Sequence, residues 1–189
     1  MIIDLLRHGE TELGGGLRGS LDDVLTAKGW AQMQAAVDAA GPWQVLVSSP
    51  LQRCARFAHV LGEQMRLPVQ LAPRLQELHF GEWEGRSAAD LMLTHEQQLG
   101  RFWADPYAFT PPGGEPLTDF SRRVLAAIAA LHQEHAGKNL LLVTHGGVMR
   151  LLLARARGLP REQLLQVEVG HGALCRLEVQ ADGSLREMH

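Results

Sequence analysis

Ile2-Ile3-Asp4-Leu5-Leu6-Arg7-His8-Gly9-Glu10-Thr11 decides how the rest of the chain is read. A short apolar run that stops at an arginine, a histidine and a glycine is the pattern of a buried strand carrying polar residues at its carboxyl end. Two later segments repeat it. Val45 to Val47 breaks at Ser48-Ser49-Pro50, and Leu140 to Val143 breaks at Thr144-His145-Gly146-Gly147. Open α/β sheets bind ligands beyond the carboxyl ends of their strands. Arg7-His8, Ser48-Ser49 and Thr144-His145 are therefore expected to share one pocket.

The intervening sequence supplies helices. Thr26 can cap one running through Trp30, Met33 and Val37, which must stop at Gly41-Pro42. Pro50 suits the first turn of another, from Leu51 to about Met65. Val69 to Leu71 reads as a short strand. Residues 79 to about 118 lose clear periodicity, and a helix then runs from Leu117 through Val124, Ile128 and Leu131. His145-Gly146-Gly147 opens a helix through Leu153. Ala173 to Val179 alternates like a strand, with Ser184 to Met188 as a pairing partner. This alternation predicts a three-layer α/β/α sandwich with a largely parallel central sheet. One domain over 1–189 is expected, with about 79–118 as a short helical and aromatic lid insertion.

Eighteen basic residues against 21 acidic ones leave a formal charge of −3, so no chain-wide field attracts nucleic acid or an anionic membrane. Cys54 and Cys175 form no CxxC pair and are too few for a metal cage or a disulfide scaffold. They read as reduced, packed thiols. Met1 to Leu6 lacks the basic and long apolar regions of a signal peptide, and no run approaches the roughly 20 apolar residues of a membrane span. A cytoplasmic location is expected. Neither GxxxxGK[ST] nor HExxH occurs, so no metal or cofactor is called for. His132 and His135 read as a solvated helix end, and His59, His95 and His189 carry no signal.

Hydrolysing a phosphate monoester needs fixed positive charge and bidentate donors to hold a dianion, which arginine supplies best. It also needs a nucleophile in line and a proton for the leaving oxygen. Leu6-Arg7-His8-Gly9-Glu10-Thr11, Ser48-Ser49-Pro50-Leu51-Gln52-Arg53 and Val143-Thr144-His145-Gly146-Gly147 offer such a set. Together they resemble the histidine phosphatase superfamily in its phosphoglycerate-mutase-like branch.

That resemblance implies His8 as the phosphorylated nucleophile, Arg7 and Arg53 as clamps on the phosphoryl oxygens, and His145 as a further donor. It implies Glu77, in Leu75-Gln76-Glu77-Leu78-His79-Phe80-Gly81, as the residue that protonates the leaving oxygen and later activates water. Thr11 would add a hydroxyl, and Gly146, at a helix start, a backbone N–H that suits an anion. Glu10 is read as a helper or a structural hydrogen-bond acceptor rather than the main acid, and Glu82 and Glu84 as surface or hinge residues. Where many relatives carry an Asn after this first segment, Gly14-Gly15-Gly16-Leu17-Arg18 stands instead. Either the glycine N–H groups or Arg18 is expected to take its place, unless the glycines form a plain loop.

Mutases of this branch carry a longer insertion and a tail over the site, so the resemblance implies hydrolysis of a small phosphate ester. Arg66 to Gln70, the Glu77 to Gly85 stretch, Pro112-Gly113-Gly114-Glu115 and Gly170 to Leu177 further resemble the α-ribazole phosphatases of cobalamin assembly. Phe80, Trp83, Phe102, Trp103, Tyr107 and Phe109 lie in the lid stretch. They form either a wall against an aromatic substrate or the insertion's own small core. His171 is placed at the rim. The alternatives kept open are a phosphatase of sugar phosphates or phosphoglycerates and a non-catalytic binding protein on the same fold.

Overall fold

A strand covered on both faces needs apolar residues at successive positions, and these runs supply them. The structure, a computed structural model, describes residues 1–188. Among these, one sheet holds six strands, β1 (Ile2–Arg7), β2 (Val45–Ser48), β3 (Val69–Leu71), β4 (Asn139–Thr144), β5 (Leu174–Val179) and β6 (Leu185–Met188), in the order β3-β2-β4-β1-β5-β6. The first four in that order run parallel, and β5 is antiparallel to both β1 and β6.

Alternation assigns each face its core. Ile3, Leu5, Val47, Leu140 and Leu142 pack with α4 (Leu117–Glu134) and α5 (Gly146–Ala156). Leu6, Leu46, Leu141 and Val143 pack with α1 (Ala27–Asp38) and α2 (Gln52–Met65). Each such side chain, fully buried, contributes about 1.5–3 kcal/mol, and a one-residue slip would send every one to the wrong layer. The expected three-layer sandwich is what forms.

Thr26 caps α1, its hydroxyl accepting the Gly29 N–H at 3.0 Å. At α2 the expectation needs correction. Leu51 is the N-cap, and Pro50 lies outside the helix. Ser49 N–H still bonds to Val143 O at 2.9 Å, so the chain keeps the strand direction one residue past β2 and turns only afterwards. The helical character expected of the lid stretch is carried by α3 (Ala88–Ala104), to which the lost periodicity gave no bounds. It bends at His95 (φ −142°, ψ 32°). Ser87 and Asp90 form a capping box at its start, the one signal that marks it in the sequence.

Leu91, Leu99 and Phe102 dock α3 onto the α4–α5 core. Trp83 stacks on Phe109 at 5.7 Å and meets Phe102 edge-on at 5.8 Å. The lid thus has an aromatic core continuous with that of the sandwich. His135 is buried with Nε2 3.0 Å from Gln70 Oε1, so it is not a solvated helix end. Among the described residues no helix is long and apolar enough to cross a membrane.

Candidate active site

Arg7 is level with Thr144, and Ser48 with Val143, in the sheet register. The next step continues the pairing, with His8 N–H donating to Thr144 O at 3.0 Å. His8, Ser49 and His145 therefore leave the three central strands at one height. The His8 and His145 rings stand 5.4 Å apart at 61°. Arg53, from the first turn of α2, donates from Nε to His145 Nδ1 at 3.3 Å. Residues distant in sequence share one cup.

The turn after His8 is set by a backbone contact. A Cβ on Gly9 would fall 2.1 Å from Gly29 O, and one on Gly29 2.1 Å from Glu10 O. The loop and α1 can approach this closely only as glycines. His8 Nδ1 lies 2.8 Å from Gly9 O. A carbonyl only accepts, so Nδ1 carries the hydrogen and Nε2 keeps its lone pair. Burial presses the His8 pKa well below the usual imidazole value, and Arg53 and Arg7 add to this against the Gly9 hydrogen bond. At neutral pH His8 is an uncharged base aimed through Nε2. His145 is driven the same way by burial and then Arg53. Its Nδ1 accepts from Arg53, so Nε2–H faces Ser49 Oγ at 2.7 Å.

Two arginines frame the imidazoles. Arg53 is fully buried and also donates to Leu21 O at 2.6 Å and Gly19 O at 2.9 Å. Arg7 Nη1 donates to Val169 O at 2.6 Å, while its buried Nε has no partner among the described residues. Burial lowers the Arg7 pKa, and nearby Arg150 lowers it further. A phosphoryl oxygen would relieve both the orphaned donor and the crowded charge.

Glu77 faces this cluster from the segment after β3. Its carboxylate accepts the N–H groups of Leu78 and Gly147, each at 2.9 Å. A Cβ on Gly147 would lie 2.2 Å from Glu77 Oε1, so this glycine is what allows the carboxylate its seat. Gly147, rather than Gly146, therefore makes the visible backbone contact at the start of α5. Gly146 lies against Arg7 and Arg150 instead. Arg150 gave no signal in the sequence and emerges only from this packing.

Glu77 also lines a pocket of about 430 Å³. Its walls include Phe80, Phe102, Trp103 and Phe120, with Arg150 and Gln166 as polar members. The lid aromatics divide between two positions: Trp83 builds the core, Phe80 and Trp103 line the pocket, and Phe102 does both.

The other residues read from the sequence take varied positions. Thr11 is buried and bridges Leu25, but its hydroxyl has no partner among the described residues. Arg18 bonds to the carbonyls of Gly14 and Gly16 and pairs with Asp23 at 2.7 Å, so it fastens the glycine loop. Glu10 is an outer acceptor for Lys28 and Thr26, as expected. Glu84 is not a surface residue. Its side chain is 8% exposed and accepts from Ser20, Leu21 and Phe80, tying the 19–21 loop to the lid. The His171 ring stands 5.7 Å from that of His8, at the rim where it was placed. No group of three or more His, Cys, Asp or Glu among the described residues is arranged to hold a metal ion.

Neutral imidazoles framed by buried arginines at the carboxyl ends of parallel strands define a site for phosphoryl transfer. Residues 3–188 match the histidine phosphatase superfamily (branch 1), and the chain belongs to it as a phosphoric monoester hydrolase of phosphoglycerate-mutase-like fold. It is 33% identical over 179 residues to the adenosylcobalamin/alpha-ribazole phosphatase of Escherichia coli (strain K12), covering 93% of this chain and 88% of that one. The alpha-ribazole phosphatase of Shigella flexneri superposes with a TM-score of 0.84 at 32% identity, covering 100% of this chain and 96% of that one. The mycobacterial glucosyl-3-phosphoglycerate phosphatase Rv2419c in complex with VO3 superposes with a TM-score of 0.88 at 28% identity, covering 99% and 96%.

Proposed function

We propose that this chain dephosphorylates α-ribazole 5′-phosphate, or a phosphate monoester of the same aromatic type, through a phosphohistidine on His8 and without a metal ion. The observation that carries the mechanism is the His8 Nδ1–Gly9 O contact within an arginine-framed cup, which leaves Nε2 as the attacking lone pair. Arg7, Arg53 and His145 hold the phosphoryl oxygens, with Thr11 and the N–H of Gly146 at the same site. The Nε2–P bond forms as the P–O bond to the leaving group breaks, and the proton of Glu77 passes to the leaving oxygen. Water then attacks phosphorus, returns a proton to Glu77, and releases phosphate and free His8.

The substrate reading rests on the α-ribazole phosphatases among the relatives and on the apolar pocket beside Glu77. A flat benzimidazole matches walls of Phe80, Phe102, Trp103 and Phe120. The second reading, a sugar or phosphoglycerate ester, draws on the likeness to the glucosyl-3-phosphoglycerate phosphatase, but offers such walls a polar leaving group. A pure binding protein would need neither His8 as a nucleophile nor Glu77 as an acid. We place the activity in a single domain and in the cytoplasm, where both cysteines would stay free thiols, as they are here.

Turnover of α-ribazole 5′-phosphate, 3-phosphoglycerate and fructose 2,6-bisphosphate in EDTA tests this. The α-ribazole ester should be the fastest, and His8→Ala should abolish both activity and acid-labile labelling by phosphate. An α-ribazole ester slowest of the three would remove the substrate assignment, and full activity in His8→Ala would remove the mechanism.

A further inference from the structure

The segment that carries Glu77 leaves the sheet after the three residues of β3, and its last hydrogen bond from a strand, among the described residues, is at Leu75, whose carbonyl accepts from Thr144 Oγ1 at 3.1 Å. Its carboxylate is seated by two neutral N–H groups, from Leu78 and Gly147. Its main chain is held by Arg123, one turn and a half into α4. Arg123 Nη1 donates to Arg74 O at 2.7 Å and Gln76 O at 2.9 Å, and Nη2 to Glu77 O at 2.9 Å. The remaining N–H groups go to Glu115, from Nε at 2.7 Å and Nη2 at 2.9 Å. All five guanidinium donors are thus used, in a fork geometry that lysine cannot copy. The guanidinium lies over the Phe120 ring at 4.8 Å, and Glu115 N–H bonds to His79 O at 2.8 Å. The clamp is closed on every side.

We infer that Arg123, braced by Glu115, is a positioning residue that fixes Glu77 where the leaving oxygen must receive its proton. The inference rests on the proposed role of Glu77 as the acid. Arg74, Gln76 and Glu77, tied by their carbonyls to one rigid cation, cannot drift relative to α4, and α5 supplies the opposing N–H. Misplacement of about 1 Å is enough to disable a proton donor. Loss of the clamp should therefore damage protonation of the leaving group more than attack by His8.

The test compares kcat/KM on benzyl phosphate, whose alcohol must be protonated to leave, with 2,4-dinitrophenyl phosphate, whose anion leaves unaided. Glu77→Gln should fall about 100-fold or more on the first and only a few-fold on the second. Arg123→Lys should show the same bias, about tenfold or more on benzyl phosphate. Should Arg123→Lys fail to fold, Glu115→Gln, which keeps the shape and removes the bracing charge, is read on the same ratio. Equal losses on both esters, or none, would mean a merely structural staple and overturn the inference. An unbiased Glu77→Gln would instead remove the acid assignment itself, so the two failures are separable.

Discussion

In the proposed mechanism His8 must keep its lone pair among the arginines that would hold the substrate, and those arginines help it do so. Burial and the fields of Arg53 and Arg7 all disfavour the imidazolium, while Gly9 O fixes the tautomer. The acid needs a different device, a seat rather than a field, and Gly147 provides it. Replacing Gly147 by Ala would put a methyl 2.2 Å from Glu77 Oε1. The carboxylate would have to leave its N–H partner or push α5 aside. Gly147→Ala should cost about 100-fold in kcat/KM on esters with poor leaving groups, near the worth of a general acid. Inorganic phosphate should still inhibit, because His8, Arg53 and His145 are untouched. An unchanged rate would show that Glu77 works from another position.

At the scale of elements, strand ends build the arginine-framed cup and the lid builds aromatic walls of the pocket beside Glu77, the space proposed for the leaving group. α3 docks through Leu91, Leu99 and Phe102, leaving Trp103 at the pocket wall with 49% of its surface exposed. A ring so placed contributes little to folding and much to an aromatic ligand. Trp103→Ala should raise KM for an aromatic ester about tenfold, the worth of one good ring contact. It should leave KM for a small alkyl phosphate and the unfolding midpoint nearly unchanged. A parallel rise for both esters would place Trp103 outside the leaving-group site. Strands β1, β2 and β4 were legible because each is an apolar run cut off by Arg-His-Gly, Ser-Ser-Pro or Thr-His-Gly. α3 was not, because its buried Leu91, Leu99 and Phe102 stand among the exposed apolar residues Met92, Leu93 and Trp103, which blur the stripe, and only Ser87 with Asp90 announced it.

At the scale of the molecule, convergence was legible and bracing was not. Three polar strand ends imply one pocket in an open sheet, but Arg123, Glu84 and Arg150 act on partners brought together only by the folded chain. Convergence also carries a cost that pH exposes. His8 and His145 are neutral and buried in the native state, each with its pKa well below the usual 6.5, whereas in the unfolded chain both titrate near that value. Below about pH 6.5 the unfolded chain therefore binds protons that the native state refuses, and stability falls as the solution is acidified. Each histidine adds at most about 1.4 kcal/mol per pH unit to that slope, until the pH reaches its native pKa. His8→Asn keeps a side-chain N–H for Gly9 O but cannot titrate. Urea unfolding at pH 7.5, 6.5 and 5.5 should show the wild type losing stability towards acid faster than His8→Asn, with the two slopes meeting above about pH 7. Parallel slopes throughout would mean that folding does not move the His8 pKa, and a wild type that gains stability on acidification relative to His8→Asn would mean that the folded protein holds His8 charged. A charged His8 would have no lone pair to attack phosphorus.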